Sequence, residues 1–181
     1  MADRTAAQDG RWRARAARRL RSTPFRTFVL YPAALVVVET LVRRRLPRPD
    51  PRGVPLIVWG YLQYRLCGRY RRPRGGGGPG PEVPPDRLVT TGPYAVVRNP
   101  MYLGHLIFLA GLALTLRSPR AALLGLGVAA WFHGRVLDDE AQLQVLFGEE
   151  FEAYKRRVPR WLPRVWPRGP QAEEIAPAAV R

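Results

Sequence analysis

The chain is poor in cysteine, histidine and lysine. Its 181 residues include one cysteine and two histidines, and Lys155 is its only lysine. The lone Cys67 cannot form an internal disulfide, and His105 and His133 stand too far from other ligand-type residues to match a zinc spacing. These shortages predict a chain with no disulfide framework and no metal site.

Acidic residues are also scarce, because 14 Asp and Glu face 30 Arg and Lys, which gives a formal net charge of +16. Such an excess predicts an anionic partner, either nucleic acid or the anionic face of a membrane. The arginines flank apolar segments instead of forming one face of a soluble fold, which argues against nucleic acid. Membrane lipids are therefore the predicted partner.

The ends of the chain differ in composition from its middle. No short apolar core followed by a small-residue cleavage site occurs near the start, so we predict no removable signal peptide. Residues 1–24 form a basic arm, which is either a helix lying on an anionic membrane or a solvated segment. Residues 25–168 form the predicted membrane domain, and 169–181 a disordered tail.

Four long segments are apolar on nearly every side, which suits burial in lipid or in a large core. A chain of this length has no core large enough to hide four such helices. We therefore predict an all-α integral membrane protein with about four transmembrane helices. The predicted spans are 25–42, 54–68, 101–116 and 121–137.

Local signals predict how these spans pack. Only "RSPR" separates the third and fourth spans, which is enough for a tight hairpin with Ser118 as N-cap and Pro119 at the first helical position. Small residues let helix backbones approach closely in membranes. The glycines expected to serve this purpose are Gly104, Gly111, Gly125 and Gly127.

The distribution of cations predicts the orientation. With the N-terminus inside, 23 Arg and Lys lie on the cytoplasmic side and seven on the outer side. The positive-inside rule then places both termini in the cytoplasm. The arginine-rich composition is typical of bacteria, so the predicted location is the bacterial inner membrane.

Two polar blocks, "LVTTGPYAVVRNPMYLGH" and "RVLDDEAQLQVLFGEEFEAYKRRVPRWLP", should meet at the cytoplasmic end of this hairpin. Asn99 is a good N-cap and Pro100 suits the first helical position, so the third span starts there with free N–H groups that favour an anion. Arg135 and Asp139 share a helix face, with Glu140 about a quarter turn away. A helix start, acids and aromatic rings together suit a zwitterionic, nucleotide-like ligand.

At this point the chain resembles the isoprenylcysteine carboxyl methyltransferase family, which is related to the phospholipid N-methyltransferases. "RLVTTGPYAVVRNPMYLG", an acid pair and "FGEEFEAYKRRVPRWLP" carry the resemblance, which covers roughly residues 87–163. It implies S-adenosyl-L-methionine as methyl donor, held in a cytoplasmic pocket beside the bilayer.

The resemblance also implies roles for particular residues. Arg135 matches a substrate-side arginine. Asn99 stands where eukaryotic members have His, and Asp139 stands where they have Glu. The residues that match cofactor-binding positions are Leu88, Val89, Tyr94, Arg98, Asn99, Pro100, Met101, Tyr102 and Asp139.

The predicted activity is methyl transfer to a lipophilic acceptor through oxygen, nitrogen or sulfur. A carboxylate acceptor needs only orientation, which Arg135 can give as a bidentate partner. An amine or thiol needs a proton removed, for which Glu140, Asp139 or a histidine is a candidate. The alternative is a catalytically silent four-helix membrane protein of the same architecture.

Overall fold

A computed structural model describes residues 22–76 and 84–163, and every regular element within them is helical. This confirms the predicted all-α class. Nearly all of the basic arm, residues 77–83 of the Gly/Pro linker and the C-terminal tail lie outside the described residues. The helices are α1 (Thr23–Arg43), α2 (Val54–Gly75), α3 (Pro93–Val96), α4 (Pro100–Leu116) and α5 (Pro119–Arg157).

All four apolar segments form helices, and two of these, α2 and α5, extend well beyond the predicted spans. Helix α2 continues from the apolar segment into the basic stretch and ends at Gly75. Helix α5 kinks at Gly148, which has φ 46° and ψ −117°, and continues to Arg157. By length and composition, α1 is the one described helix that qualifies as a membrane span, and α4 is a shorter apolar helix.

Helix α1 carries a π-helical segment, Arg26–Leu30, immediately before Tyr31 and Pro32. Proline has no N–H to donate, and its ring collides with the carbonyl four residues earlier. A locally widened turn relieves that conflict without breaking the helix. The π-helical turns therefore follow from the position of Pro32.

Helices α2 and α4 lie with their backbones in contact through glycines. A Cβ at Gly104 would lie 2.8 Å from the carbonyl oxygen of Gly60, and one at Gly111 would lie 2.7 Å from the amide nitrogen of Ile57. The close-packing role predicted for Gly104 and Gly111 is thus confirmed.

The same prediction is wrong for the two glycines on α5. A Cβ at Gly125 would make an ordinary 3.8 Å contact with Leu109, and one at Gly127 would meet none of the described residues within 4 Å. The α4–α5 contact is made instead by larger side chains, so these glycines are not needed for backbone approach. The apolar core that joins α1, α4 and α5 consists of Leu35, Phe108, Leu109, Leu112, Leu116, Ala121, Val128 and Phe132.

A buried carboxylate on α1, that of Glu39, stabilises the turn between α4 and α5. Ser118 accepts a hydrogen bond from the Ala121 amide at 3.0 Å, which confirms it as the N-cap, and its hydroxyl donates to Glu39 at 2.6 Å. Glu39 is fully buried and also pairs with Arg43 at 2.7 Å and Arg120 at 3.3 Å. This contact ties the far end of α1 to the hairpin turn.

Candidate functional site

The two polar blocks meet at the end of the α4–α5 hairpin opposite this turn, as predicted. The backbone amide of Arg98 donates to the carbonyl oxygen of Pro159 at 2.9 Å. The kink at Gly148 lets the last part of α5 fold back over the segment that precedes α4. Residues far apart in the chain are thereby brought to one end of the hairpin.

Glu140 on α5 is held by two arginines. Arg98 donates from Nε to one carboxylate oxygen at 3.1 Å and from Nη2 to the other at 3.3 Å. Arg160 donates from Nε and Nη2 to the same two oxygens at 3.0 and 2.8 Å. Arg98 also donates from Nη1 to the carbonyl oxygens of Lys155 and Val158. We call these three side chains, Arg98, Glu140 and Arg160, the arginine clamp.

The clamp sets the electrostatics of Glu140. Burial alone would raise the pKa of Glu140, but the hydrogen bonds and positive charges of Arg160 and Arg98 hold it below its ordinary value. A carboxylate with a lowered pKa and both oxygens engaged by arginine is a weak proton acceptor. The geometry therefore favours a structural role for Glu140, and its predicted catalytic role stays a prediction.

The carboxylate of Asp139 contacts different residues from that of Glu140. The Tyr102 hydroxyl donates to Asp139 Oδ2 at 2.9 Å, and Arg135 Nε lies 3.4 Å from Asp139 Oδ1. The side chains of Arg135 and Asp139 are 33% and 31% exposed, so a ligand can reach both. The prediction that these two residues share a helix face is confirmed, and we call Tyr102, Arg135 and Asp139 the open cluster.

Asn99 occupies the N-cap position of α4, as predicted, but its side chain does not cap the helix. Its amide nitrogen instead approaches the carbonyl oxygen of Arg160 at 3.4 Å, so the capping role predicted for the side chain is wrong. The first N–H groups of α4 consequently receive no side-chain cap from Asn99. Gln63 on α2 donates to the carbonyl oxygen of Pro100 at 2.9 Å and helps fix this helix start.

Tyr94 lies buried beside the clamp. The Tyr154 hydroxyl donates to its carbonyl oxygen at 2.6 Å, whereas the Tyr94 hydroxyl has no hydrogen-bond partner among the described residues. Burial raises the pKa of both phenols above their ordinary value. A buried hydroxyl without a partner is costly, so it is a candidate contact for a ligand.

The remaining predicted residues line the neighbouring surfaces. Leu88 packs against the small core of Phe151, Tyr154 and Val158. Val89 lies beside Gly75 at the end of α2, and Met101 lies beside Gly68. These three predicted cofactor-binding residues thus sit between α2, α4 and the end of α5.

Three residues that help to position the site were not predicted from the sequence. They are Arg160, Tyr154 and Gln63. Arg160 and Tyr154 lie in the second polar block, so membership of that block was the available signal. Gln63 lies in an apolar segment, and a polar side chain there is itself a signal of a required partner. Among the described residues, no group of three or more His, Cys, Asp or Glu is placed to hold a metal ion.

Comparison with known proteins shows what this part of the chain is similar to. Residues 80–150 match the family model described as phospholipid methyltransferase. Protein-S-isoprenylcysteine O-methyltransferase of Schizosaccharomyces pombe is 37% identical over 79 residues, which is 43% of this chain and 34% of that protein. The human protein of the same name is 39% identical over 77 residues, 42% of this chain and 27% of its own length.

A third relative carries a different name. The nickel-cobalt-cadmium resistance protein NccN of Alcaligenes xylosoxydans xylosoxydans is 37% identical over 79 residues, 43% of this chain and 37% of that protein. The aligned region thus spans roughly a third of the length of these three relatives. Over residues 80–150, which contain the open cluster and two members of the clamp, the chain is similar to the phospholipid methyltransferase family, and the family resemblance predicted from its motifs is confirmed.

Proposed function

We propose that the chain is a membrane-embedded methyltransferase that uses S-adenosyl-L-methionine and methylates a lipophilic acceptor. One observation carries this proposal: the segment that is similar to the methyltransferase family contains all three residues of the open cluster. A shared fold alone does not imply a shared activity, but a shared segment that builds an accessible polar site supports one.

The outer surfaces of the helices support a location within the bilayer. The most apolar window of α1 is only 17% buried inside the protein, and Leu41 on α1 is 71% exposed. Leu123 and Leu126 on α5 are each 67% exposed. Extended exposed apolar surface is typical of contact with lipid. We propose that α1, α2, α4 and the first part of α5 cross the membrane, with both chain termini in the cytoplasm.

The residues of the site suit the proposed cofactor. The N–H groups at the start of α4 favour its carboxylate, Asp139 favours its cationic groups, and the Tyr94 hydroxyl has no hydrogen-bond partner within residues 22–76 and 84–163. When bound, S-adenosyl-L-methionine supplies a methyl group on a positively charged sulfur. Tyr102 holds Asp139 in position through its hydroxyl hydrogen bond.

Arg135 and Glu140 have separate proposed roles. Arg135 is partly exposed and paired only at 3.4 Å, so its guanidinium can orient an anionic acceptor group. Glu140 acts through the arginine clamp, because it joins the segment before α4 to the end of α5. It is therefore a positioning residue in this proposal.

The test measures cofactor binding and methyl transfer on the same detergent-purified protein. We expect the unmodified protein to bind S-adenosyl-L-methionine in calorimetry and to transfer a radiolabelled methyl group to a component of membrane extracts. Loss of a charge-assisted contact of about 1.5–3 kcal/mol in Asp139→Ala should weaken cofactor binding roughly ten- to a hundredfold. The exposed neighbour Asp138 supplies the matched control, Asp138→Ala, which should bind normally.

Arg135→Lys separates the acceptor side from the cofactor side. Lysine keeps the charge but lacks the planar fork, so transfer should fall while cofactor affinity stays unchanged. An equal fall in both quantities would make Arg135 a partner of Asp139 alone. If the unmodified protein does not bind S-adenosyl-L-methionine at millimolar cofactor concentration, the proposal is wrong. The catalytically silent alternative then remains.

A further inference from the structure

One face of α2 changes from apolar to basic partway along the helix. Val58 and Leu62 lie four residues apart, and Arg65, Arg69 and Arg72 continue the same line at intervals of three or four residues. Residues at this spacing lie one above another on one side of a helix. All five side chains are exposed. We call the three arginines, Arg65, Arg69 and Arg72, the basic face.

The basic face points away from the rest of the helix bundle. Helix α2 packs against α4 through Gly60 and Tyr64, which lie close to Gly104. Arg69 is nine residues beyond Gly60, and nine steps of about 100° place it on the opposite side of α2. The basic face is therefore separate from the open cluster, which α4 and α5 build.

The arginines at the two ends of the bundle differ in how their charge is balanced. At the α4–α5 turn, Arg117 pairs with Asp50 at 2.7 Å and Arg120 with Glu39 at 3.3 Å. None of the ion pairs formed between described residues involves an arginine of the basic face. Within the described part of the chain, three neighbouring guanidinium groups thus have no carboxylate to balance them.

The spacing along α2 matches the layers of a bilayer. With a rise of ~1.5 Å per residue, Arg65 and Arg69 are about 6 Å apart along the helix. The polar head-group region on each side of a bilayer is about 5–8 Å thick. Arginine binds phosphate oxygens through a planar fork of donors, and exposed apolar residues such as Val58 and Leu62 suit acyl chains. The matching partner combines an anionic phosphate with a long apolar chain.

We propose that the basic face binds an anionic phospholipid of the cytoplasmic leaflet. Its phosphate lies between Arg65 and Arg69, and an acyl chain lies along Val58 and Leu62. The inference rests on the bilayer location included in the proposed function, and it is independent of methyl transfer. The lipid is a structural ligand of α2, and the negative surface potential of the cytoplasmic leaflet favours its binding.

The end of α2 that carries the basic face also supports the segment before α3. The hydroxyl oxygens of Tyr70 and Thr91 are hydrogen-bonded at 2.8 Å. The amides of Asp86 and Arg87 donate to the carbonyl oxygen of Gly75 at 2.9 and 3.2 Å. A ligand that binds only the folded protein stabilises it. Anionic lipid should therefore stabilise α2 together with this segment.

The test measures lipid binding by native mass spectrometry on the detergent-purified full chain. Dioleoyl phosphatidylglycerol is the anionic probe, and dioleoyl phosphatidylcholine is a lipid with the same chains and no net charge. We expect phosphatidylglycerol to bind more tightly and to raise the thermal unfolding midpoint. Arg69→Gln should weaken its binding about fivefold, which corresponds to about 1 kcal/mol.

The matched control lies on the same helix. Arg71 is also exposed, but it lies about 160° from Arg69 around the axis of α2. Arg71→Gln removes the same charge and should leave binding of phosphatidylglycerol unchanged. An equal fall in Arg69→Gln and Arg71→Gln would show that net charge alone attracts the lipid, and it would overturn the inference.

Two further measurements test the kind of ligand. Replacement of Arg65, Arg69 and Arg72 together by glutamine should abolish the preference for phosphatidylglycerol over phosphatidylcholine. Inorganic phosphate should leave the unfolding midpoint unchanged, because it has no acyl chain. Equal binding of the two lipids by the unmodified protein, or equal stabilisation by inorganic phosphate, would overturn the assignment to an anionic lipid.

Failure of this inference and failure of the proposed function give different results on the same protein. Absence of S-adenosyl-L-methionine binding in calorimetry defeats the proposed methyltransferase activity, whatever the lipid measurements show. Normal cofactor binding without a preference for phosphatidylglycerol defeats the inference about the basic face alone.

Discussion

At the scale of single residues, the two adjacent acids on α5 are set apart by their surroundings. Asp139 is partly exposed and bonded to a tyrosine hydroxyl and one arginine, whereas Glu140 is buried between Arg98 and Arg160. Neighbouring positions on a helix point about 100° apart, which is why one acid faces the open cluster and the other the clamp. The two carboxylates therefore differ in exposure and in hydrogen-bond partners.

Removal of the charge of Glu140 should destabilise the folded protein and the packing of the site. Glu140→Gln leaves two arginines without their carboxylate, and the breaking of a buried ion pair costs about 3–5 kcal/mol. We expect a clear fall in the thermal unfolding midpoint in detergent, with weaker cofactor binding as a consequence. The exposed Glu150 on the same helix provides Glu150→Gln as the control, and an equal effect of both variants would contradict the clamp.

The pH dependence of this contribution has a defined sign. Because the pKa of Glu140 in the folded protein is lowered, its carboxylate stabilises the fold at every pH above its unfolded value of about 4.3. That stabilisation is lost as the pH falls through the lower, folded-state pKa. The stability difference between the unmodified protein and Glu140→Gln should therefore be constant from pH 6 to 8 and shrink in stronger acid.

At the scale of elements, α2 and α4 are the most closely packed pair among the described helices. Their backbones are in close contact at Gly60 and Gly104 and again at Ile57 and Gly111. This packing fixes the start of α4, since Gln63 on α2 also holds the carbonyl oxygen of Pro100. A change in the separation of these two helices would therefore move the uncapped N–H groups at the site.

Gly104→Ala should increase the distance between α2 and α4. Its Cβ would lie 2.8 Å from backbone atoms of both Gly60 and Tyr64, and overpacking of this kind costs about 1–3 kcal/mol. We expect a lower thermal unfolding midpoint in detergent and weaker cofactor binding. In Gly134→Ala the added Cβ meets no atom within 4 Å in the part of the chain that the structure describes. This variant should be neutral or stabilising, so a similar loss in it would refute the explanation.

At the scale of the whole molecule, charge and apolar surface together predict the orientation. The α4–α5 turn carries Arg117 and Arg120, which are engaged with Asp50 and Glu39 respectively. Arg43 is likewise paired with Glu39. Three arginines on the side predicted to be external are therefore paired with carboxylates.

Reporter fusions test this orientation directly. Fusions after Pro49 and after Pro119 should report the outer side, and a fusion after Trp166 should report the cytoplasm, because the positive-inside rule retains the more cationic ends. Membrane fractionation of the tagged protein provides the control for insertion. A cytoplasmic signal from the Pro119 fusion would break the proposed topology of the hairpin.

The sequence by itself determined the features that depend on neighbours along the chain. Long apolar runs located the four long helices, the Ser118-Pro119 pair marked the start of α5, and the four-residue spacing of Arg135 and Asp139 placed them on one face. The two polar blocks were sufficient for the family resemblance. Each of these signals is read within a few residues, so no knowledge of helix packing was needed.

Only the tertiary structure decided which distant groups meet. Glu140 finds Arg98 and Arg160 across 42 and 20 residues of chain, and Asn99 turns from its expected cap toward Arg160. Gly127 faces a cavity, whereas Gly104 faces a backbone, although both are glycines in apolar helices. The physical reason is that periodicity specifies a helix and its faces, while the partner of each face depends on how the helices pack against one another.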